Sequence, residues 1–147
     1  MSETYSLTVE RVIPGPIEEV FDAWLDPVSM KQWMRPGPMT LSEATVDPVV
    51  GGKYALTFVG DGQVIPHEGE YREITRPHRL VFTWKSAGAG DTVVTIALAK
   101  VADRQTKLTL THERFVSEAA RDGHRSGWGG ILEKLEQTME ARVRESV

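Results

Sequence analysis

The sequence predicts an α+β domain in which a curved antiparallel sheet is wrapped around one long C-terminal helix. Three observations support this prediction. The residues from Ser117 to the end have helical periodicity, the middle of the chain alternates apolar and polar residues, and short turns join the alternating stretches. No earlier helical stretch has a comparable length. The apolar face of the final helix is therefore expected to lie across the sheet.

The first quarter of the chain predicts one strand followed by two short helices. Residues 5–13 alternate as a strand, and Pro16 suits the first turn of a helix. An apolar stripe along residues 17–25 predicts that helix, which ends before a proline. Asp26 is placed to cap a second short helix that continues through Trp33.

The next stretch predicts six further strands joined by turns. The strands are expected at residues 40–46, 53–59, 64–74 and 80–85, around Val94 to Leu98, and around Leu108 to His112. The turns are expected at Asp47–Gly52, Gly60–Gly62, Thr75–His78, Gly88–Gly90 and Asp103–Thr106. Repeated hairpins of this kind predict an antiparallel sheet.

Length and composition narrow the class of protein. The 147 residues fit a single domain, residues 1–147, that is large enough for its own core. A net charge of -4 with scattered Lys and Arg argues against a nucleic-acid partner. The absence of cysteine excludes disulfides and thiol catalysis and fits a cytoplasmic protein. Without a leader or a long apolar run, no membrane insertion is expected.

The inward-facing apolar residues are the candidates for lining a cavity beneath the final helix. They are Tyr54, Leu56, Phe58, Tyr71, Phe82, Trp84, Val94, Ile96, Leu110, His112, Trp128, Ile131, Leu132 and Leu135. The alternative is that they form an ordinary core, because burying each large side chain stabilises the fold by roughly 1.5–3 kcal/mol without any ligand.

Four glycines in the first half of the final helix require an explanation. Gly123, Gly127, Gly129 and Gly130 each cost about 0.8–1 kcal/mol relative to alanine inside a helix. Their missing side chains could leave room for a ligand or a mobile entrance. Two alternatives are close packing of the helix on the sheet and a break between a short helix at 117–122 and the main one.

His112 is the candidate polar anchor, because it shares the inward face of its strand with Leu108 and Leu110. The alternative is a core histidine whose hydrogen bonds are satisfied. An acid–base set with Tyr71 or Glu113 would require the strands to bring these residues together, and Glu113 is expected to point outward.

Other chemical templates are missing from the sequence. The four histidines, at positions 67, 78, 112 and 124, have no metal-ligand spacing, and there is no phosphate loop or nucleophile elbow. We therefore predict no metal and no cofactor, and the sequence favours a noncatalytic protein without deciding the question.

Several short motifs together resemble a known family. They are Arg11-Val-Ile with Pro16, the Val20 to Trp24 helix, Asp26-Pro27 followed by Trp33, Val46-Asp-Pro, Gly51-Gly52, Gly69-Glu-Tyr71, Pro77 with Leu80 to Trp84, Thr111-His112, His124 before Gly127-Trp128, and the Leu132 to Leu135 pair. From about Val9 to Met139 the chain resembles the family named after the activator of heat shock protein 90 ATPase. That family lies within the START-like, helix-grip superfamily called SRPBCC.

The resemblance implies a sheet that grips the C-terminal helix around an apolar cavity. Across the superfamily such cavities accommodate lipids, hormones, polyketides or other apolar molecules, and the family name implies binding to the chaperone. Three functions follow as expectations. They are a small binding protein for a hydrophobic or lipid-like molecule, a co-chaperone-like partner of heat shock protein 90, and a cyclase-like or hydrolase-like enzyme that uses His112.

Overall fold

A seven-stranded antiparallel sheet and a long C-terminal helix form the fold, as the sequence predicts. The computed structural model describes residues 4–86 and 90–145. In chain order the elements are β1 (Tyr5–Pro14), α1 (Ile17–Ala23), α2 (Pro27–Trp33), β2 (Thr40–Val46), β3 (Lys53–Gly60), β4 (Gln63–Thr75), β5 (Arg79–Ser86), β6 (Gly90–Ala102), β7 (Gln105–Phe115) and α3 (Glu118–Glu145). The α+β helix-grip class is confirmed.

The helix pair carries the chain from one edge of the sheet to the other. The strand order is β1-β7-β6-β5-β4-β3-β2, so β1 and β2 form the two edges. Five successive hairpins then bring the chain back from β2 to β7, which pairs with β1 in antiparallel register. Side chains on one face of every strand are buried beneath α1, α2 and α3.

Local signals at the start of the chain explain the two short helices. Pro16 precedes α1 in an extended conformation, and the Asp26 side chain accepts a hydrogen bond from the Val28 amide at 3.0 Å. This bond satisfies one of the free N–H groups at the start of α2. Both helix starts are where the sequence predicts them.

Two predicted turns differ from the structure. The turn expected at Asp103–Thr106 is shorter, because β7 already begins at Gln105. Thr106 is fully buried, and its hydroxyl donates a hydrogen bond to the Gly15 carbonyl at 3.0 Å. The loop expected at Gly88–Gly90 falls mostly outside the described residues, and Gly90 itself begins β6.

The final helix is continuous from Glu118 to Glu145, so the single long helix predicted from the sequence is confirmed and the alternative of a break after residue 122 is wrong. The Ser117 hydroxyl accepts a hydrogen bond from the Ala120 amide at 3.1 Å and fixes the helix start. The buried face of α3 consists of Trp128, Ile131, Leu132, Leu135 and Met139. This face closes the core against the concave side of the sheet.

Candidate functional site

The space between α2 and the sheet is almost filled by side chains. Its volume is about 10 Å³, roughly that of one water molecule. It is lined by Trp24, Met30, Met34, Tyr54, Leu56, Tyr71, Phe82 and Trp84. Five of the predicted cavity residues therefore surround a space that has no room for an organic ligand.

A larger open space lies beside the first half of α3, and we call it the glycine groove. Its volume is about 360 Å³, within the range of small-molecule sites. The groove is lined by Pro36, Phe58, His67, Trp84, Ala119, Ala120, Gly123, His124, Gly127, Trp128 and Ile131. It runs between the helix, the β3–β4 hairpin and the loop that follows α2.

The helix glycines are not explained by close packing. A Cβ atom built on Gly123 or Gly129 would meet no other atom within 4 Å. On Gly127 and Gly130 the nearest atoms would be the Pro36 Cβ at 3.9 Å and the Gly37 nitrogen at 4.0 Å, which are ordinary contacts. Gly123 and Gly127 line the groove, so their missing side chains keep that space open.

Aromatic rings form one wall of the glycine groove. The centroids of Trp84 and Trp128 are 5.1 Å apart, and those of His67 and Trp84 are 4.8 Å apart. Phe58 continues the series, with its centroid 4.9 Å from that of His67. Contacts at these distances are favourable for ring pairs, so the wall is a packed and apolar surface.

His112 lies behind this wall in a complete hydrogen-bond chain. The Trp128 indole N–H donates to Nδ1 of His112 at 2.9 Å. An indole nitrogen can only donate, so the imidazole proton is on Nε2, which lies 2.7 Å from the Thr92 hydroxyl oxygen. The Thr92 hydroxyl in turn donates to the Trp84 carbonyl at 2.6 Å.

The electrostatics of His112 agree with this structural role. The ring is fully buried, and burial, with His124 and His67 nearby, lowers the His112 pKa to about 3. Burial likewise lowers the pKa of His67 to about 4. Both rings are therefore neutral near pH 7, and both nitrogens of His112 are engaged within the protein.

The acid–base set considered for His112 is not assembled. Tyr71 lies on β4, three positions from β7 in the sheet, which is about 14 Å at the usual strand spacing. Burial also raises the pKa of the Tyr71 hydroxyl well above its usual value. Glu113 is exposed on the other face of the sheet, as its position in the alternation predicts.

The predicted site residues fall into three groups. Phe58, Trp84, Trp128 and Ile131 line the glycine groove, and Tyr54, Leu56, Tyr71, Phe82 and Trp84 line the small interior space. The other predicted residues are buried and line neither space. They are Val94, Ile96, Leu110, His112, Leu132 and Leu135.

Two histidines of the groove were not among the predicted site residues. His67 alternates with Gly69 and Tyr71 along β4, a pattern that places its side chain on the inward face. His124 lies one residue after Gly123, and its Nδ1 donates to the Ala120 carbonyl at 2.8 Å. The spacing of the histidines in the sequence gives no indication of this site, whereas alternation along β4 predicts the inward orientation of His67.

The described part of the chain contains neither a group of three or more potential metal ligands nor a helix long and apolar enough to cross a membrane. The residues that line the groove are consistent with a site for an uncharged organic molecule.

The sequence pattern of the family described as "Activator of Hsp90 ATPase homolog 1-like protein" matches residues 14–140. No curated protein is significantly similar to the chain.

Several solved structures are similar over almost the whole length. Protein CV1439 from Chromobacterium violaceum has 27% identity and a TM-score of 0.84, covering 92% of this chain and 96% of its own. PFC0360w, an HSP90 activator from Plasmodium falciparum, has 28% identity and a TM-score of 0.74, with coverages of 92% and 96%. Protein SA2116 of unknown function from Staphylococcus aureus, at 18% identity and a TM-score of 0.83, shares the fold over 97% of each chain.

Proposed function

The chain belongs to the Activator of Hsp90 ATPase homolog 1-like family, and we propose that it binds a small, flat, apolar molecule in the glycine groove. The sequence predicts such a molecule in an internal apolar cavity beneath the helix. The nearly filled interior moves the proposed site to the open groove beside the first half of α3.

One observation carries the proposal. Gly123 and Gly127 sit inside a continuous helix at positions where alanine would stabilise it, and they lie opposite an aromatic wall. A Cβ on Gly123 would meet no atom, so packing does not require glycine there. A binding site requires open space, and here glycine keeps the space open although it lowers the stability of the helix.

The size and polarity of the groove define the class of ligand. A volume of about 360 Å³ accommodates one or two fused rings. Burying about 300 Å² of a ligand's apolar surface contributes roughly 7.5 kcal/mol of binding free energy. The loss of the ligand's translational and rotational freedom offsets at least about 4 kcal/mol of this gain. Shape alone therefore gives a dissociation constant in the millimolar range. Tighter binding would require hydrogen bonds to His67 or His124, the polar side chains of the groove.

Titration with naphthol, followed by tryptophan fluorescence and by NMR, tests the proposal. Naphthol should shift the resonances of Trp84, Trp128 and the residues around Gly123. Gly123→Leu should abolish binding, because its side chain fills the groove. Gly129→Leu is the matched control, since Gly129 has equally open surroundings and does not line the groove. Equal binding by both variants would refute the groove as the site.

A second candidate function is that of a co-chaperone-like partner of heat shock protein 90. The observation in its favour is the likeness to the Plasmodium falciparum HSP90 activator, which extends over 92% of this chain. The test is the ATPase rate of the chaperone with increasing amounts of this protein. Acceleration supports the candidate, while an unchanged rate together with no shift in an NMR titration argues against it.

A further inference from the structure

Few of the polar side-chain atoms in the glycine groove are free to bind a ligand. The indole N–H of Trp128 is bonded to His112, and that of Trp84 is buried, so neither is available to a molecule in the groove. Nδ1 of His67 is buried as well. His124, on α3, also lines the groove, and its surroundings define which of its nitrogens carries the proton.

One nitrogen of His124 is bonded to the helix backbone. Nδ1 lies 2.8 Å from the carbonyl oxygen of Ala120, one turn earlier in α3. A carbonyl oxygen can only accept a hydrogen bond, so the imidazole proton is on Nδ1. A neutral imidazole carries one such proton, and Nε2 of His124 is therefore left with a lone pair that can only accept.

Nε2 of His124 is open to a ligand. It forms no hydrogen bond with any residue in the described ranges 4–86 and 90–145, and it is not buried. Packing holds the ring in place, because its centroid lies 5.3 Å from that of His112 and 5.0 Å from that of Phe115. The groove thus contains a fixed hydrogen-bond acceptor in an otherwise largely apolar lining.

We infer that the glycine groove selects a flat apolar molecule that carries a hydrogen-bond donor, either a hydroxyl or a ring N–H, and that this donor pairs with Nε2 of His124. The inference rests on the proposed function, since it names the chemistry of the ligand in the same groove. A ligand whose polar atom is an acceptor would displace water from Nε2 without replacing the hydrogen bond. Leaving that nitrogen unpaired weakens binding, whereas a matching donor avoids the loss.

Indole and quinoline are a matched pair of probes for this inference. Both are flat molecules of two fused rings, but the indole nitrogen only donates and the quinoline nitrogen only accepts. The measurement is an NMR titration of the isotope-labelled chain with each probe. Both should shift the amides around Gly123, and indole should bind about tenfold tighter, the effect expected of one unpaired polar group.

Variants assign the preference to His124. His124→Phe keeps an aromatic ring and removes the acceptor, so indole and quinoline should bind it about equally. His78→Phe makes the same exchange at an exposed histidine that does not line the groove, and it should keep the preference for indole. Unfolding midpoints of both variants establish that each is folded.

The tautomer of His124 is measured without any ligand. A long-range proton–nitrogen correlation spectrum at about pH 8, where histidine side chains are neutral, identifies the nitrogen that carries the proton. We expect the proton of His124 on Nδ1. A proton on Nε2 would overturn the inference, because that nitrogen would then be a donor.

The titrations separate this inference from the proposed function. Equal binding of indole and quinoline at the groove would overturn the inference and leave the groove as a binding site. A preference for indole that survives in His124→Phe would do the same. If neither probe shifts the resonances of the groove residues, the groove is not the site and both proposals fail.

Discussion

The indole N–H of Trp128 on α3 donates to Nδ1 of His112 on β7 at 2.9 Å, and both side chains are buried. This bond links the long helix to β7, the strand next to the β1 edge of the sheet, and fixes the imidazole tautomer. It also holds Trp128 against Trp84 in the wall of the glycine groove.

His112→Phe should destabilise the protein by about 2–4 kcal/mol, because the ring volume is kept while the buried Trp128 N–H loses its acceptor. Urea unfolding measures the loss. Trp128→Phe and the double variant complete a mutant cycle, in which a coupling of about 1–2 kcal/mol is expected between residues in direct contact. A coupling near zero would mean that the bond contributes nothing to stability.

The protein should lose stability as the pH falls below about 6.5. The folded pKa values of His112 and His67 are about 3 and about 4, below the ordinary value of 6.5. Between these values the unfolded chain binds protons that the folded chain does not, so each histidine lowers the unfolding free energy by up to about 1.4 kcal/mol per pH unit.

Urea unfolding between pH 6 and pH 5 tests this slope, because most carboxylates titrate below that window. His67→Phe should reduce the slope by about half, since one of the two histidines is removed. An unchanged slope in that variant would show that His67 is not responsible.

The alternation of the strands made most of the fold predictable. Tyr54, Leu56 and Phe58 lie on the inward face that their spacing predicts, and the outward position of Glu113 follows from the inward one of His112. The Asp26 cap and the tight Asp61-Gly62 turn, with φ angles of 50° and 72°, are equally local features.

The location of the open space was not predictable in the same way. Whether the interior is filled depends on how α2 is placed and on side chains such as those of Met30 and Met34, which are flexible and line the small space that remains. Periodicity reports which face is buried but carries no information on how densely two faces pack. The glycines at 123 and 127 were the one local signal for the groove.

Gly123→Ala and Gly129→Ala should each stabilise the protein by about 0.8–1 kcal/mol, because the new methyl group meets no other atom and alanine favours the helix. Thermal or urea unfolding provides the measurement. Gly69→Ala is the contrasting variant, since its Cβ would collide with the Thr83 carbonyl and the Tyr54 ring. If Gly123→Ala were destabilising, the open surroundings described for that position would be wrong.

Lys134→Met should loosen the loop after α2 and lower the affinity for naphthol. The Lys134 ammonium donates to the carbonyls of Arg35 and Gly37 at 2.9 Å and 2.8 Å, and Pro36 between them is part of the groove wall. A loss of about 1–2 kcal/mol in unfolding free energy is expected for these partly exposed charge-assisted bonds. Lys31→Met, at an exposed position of α2, should change neither quantity.

Arg114→Gly should be more stable than Arg114→Ala by about 1 kcal/mol. A φ of 73° is unfavourable for any residue with a Cβ, whereas glycine adopts it freely, and this gain exceeds the added flexibility of the unfolded chain. Urea unfolding of both variants gives the difference directly.

Arg72 is the matched control for this prediction, because it lies at a bulge but is not among the residues with positive φ. There glycine relieves no strain and only makes the unfolded chain more flexible, so Arg72→Gly should be less stable than Arg72→Ala. If the glycine variant is more stable than the alanine variant at position 114 but less stable at position 72, the difference reflects backbone strain at Arg114 rather than a general effect of glycine in a strand. The same sign at both positions would contradict the strained backbone at Arg114.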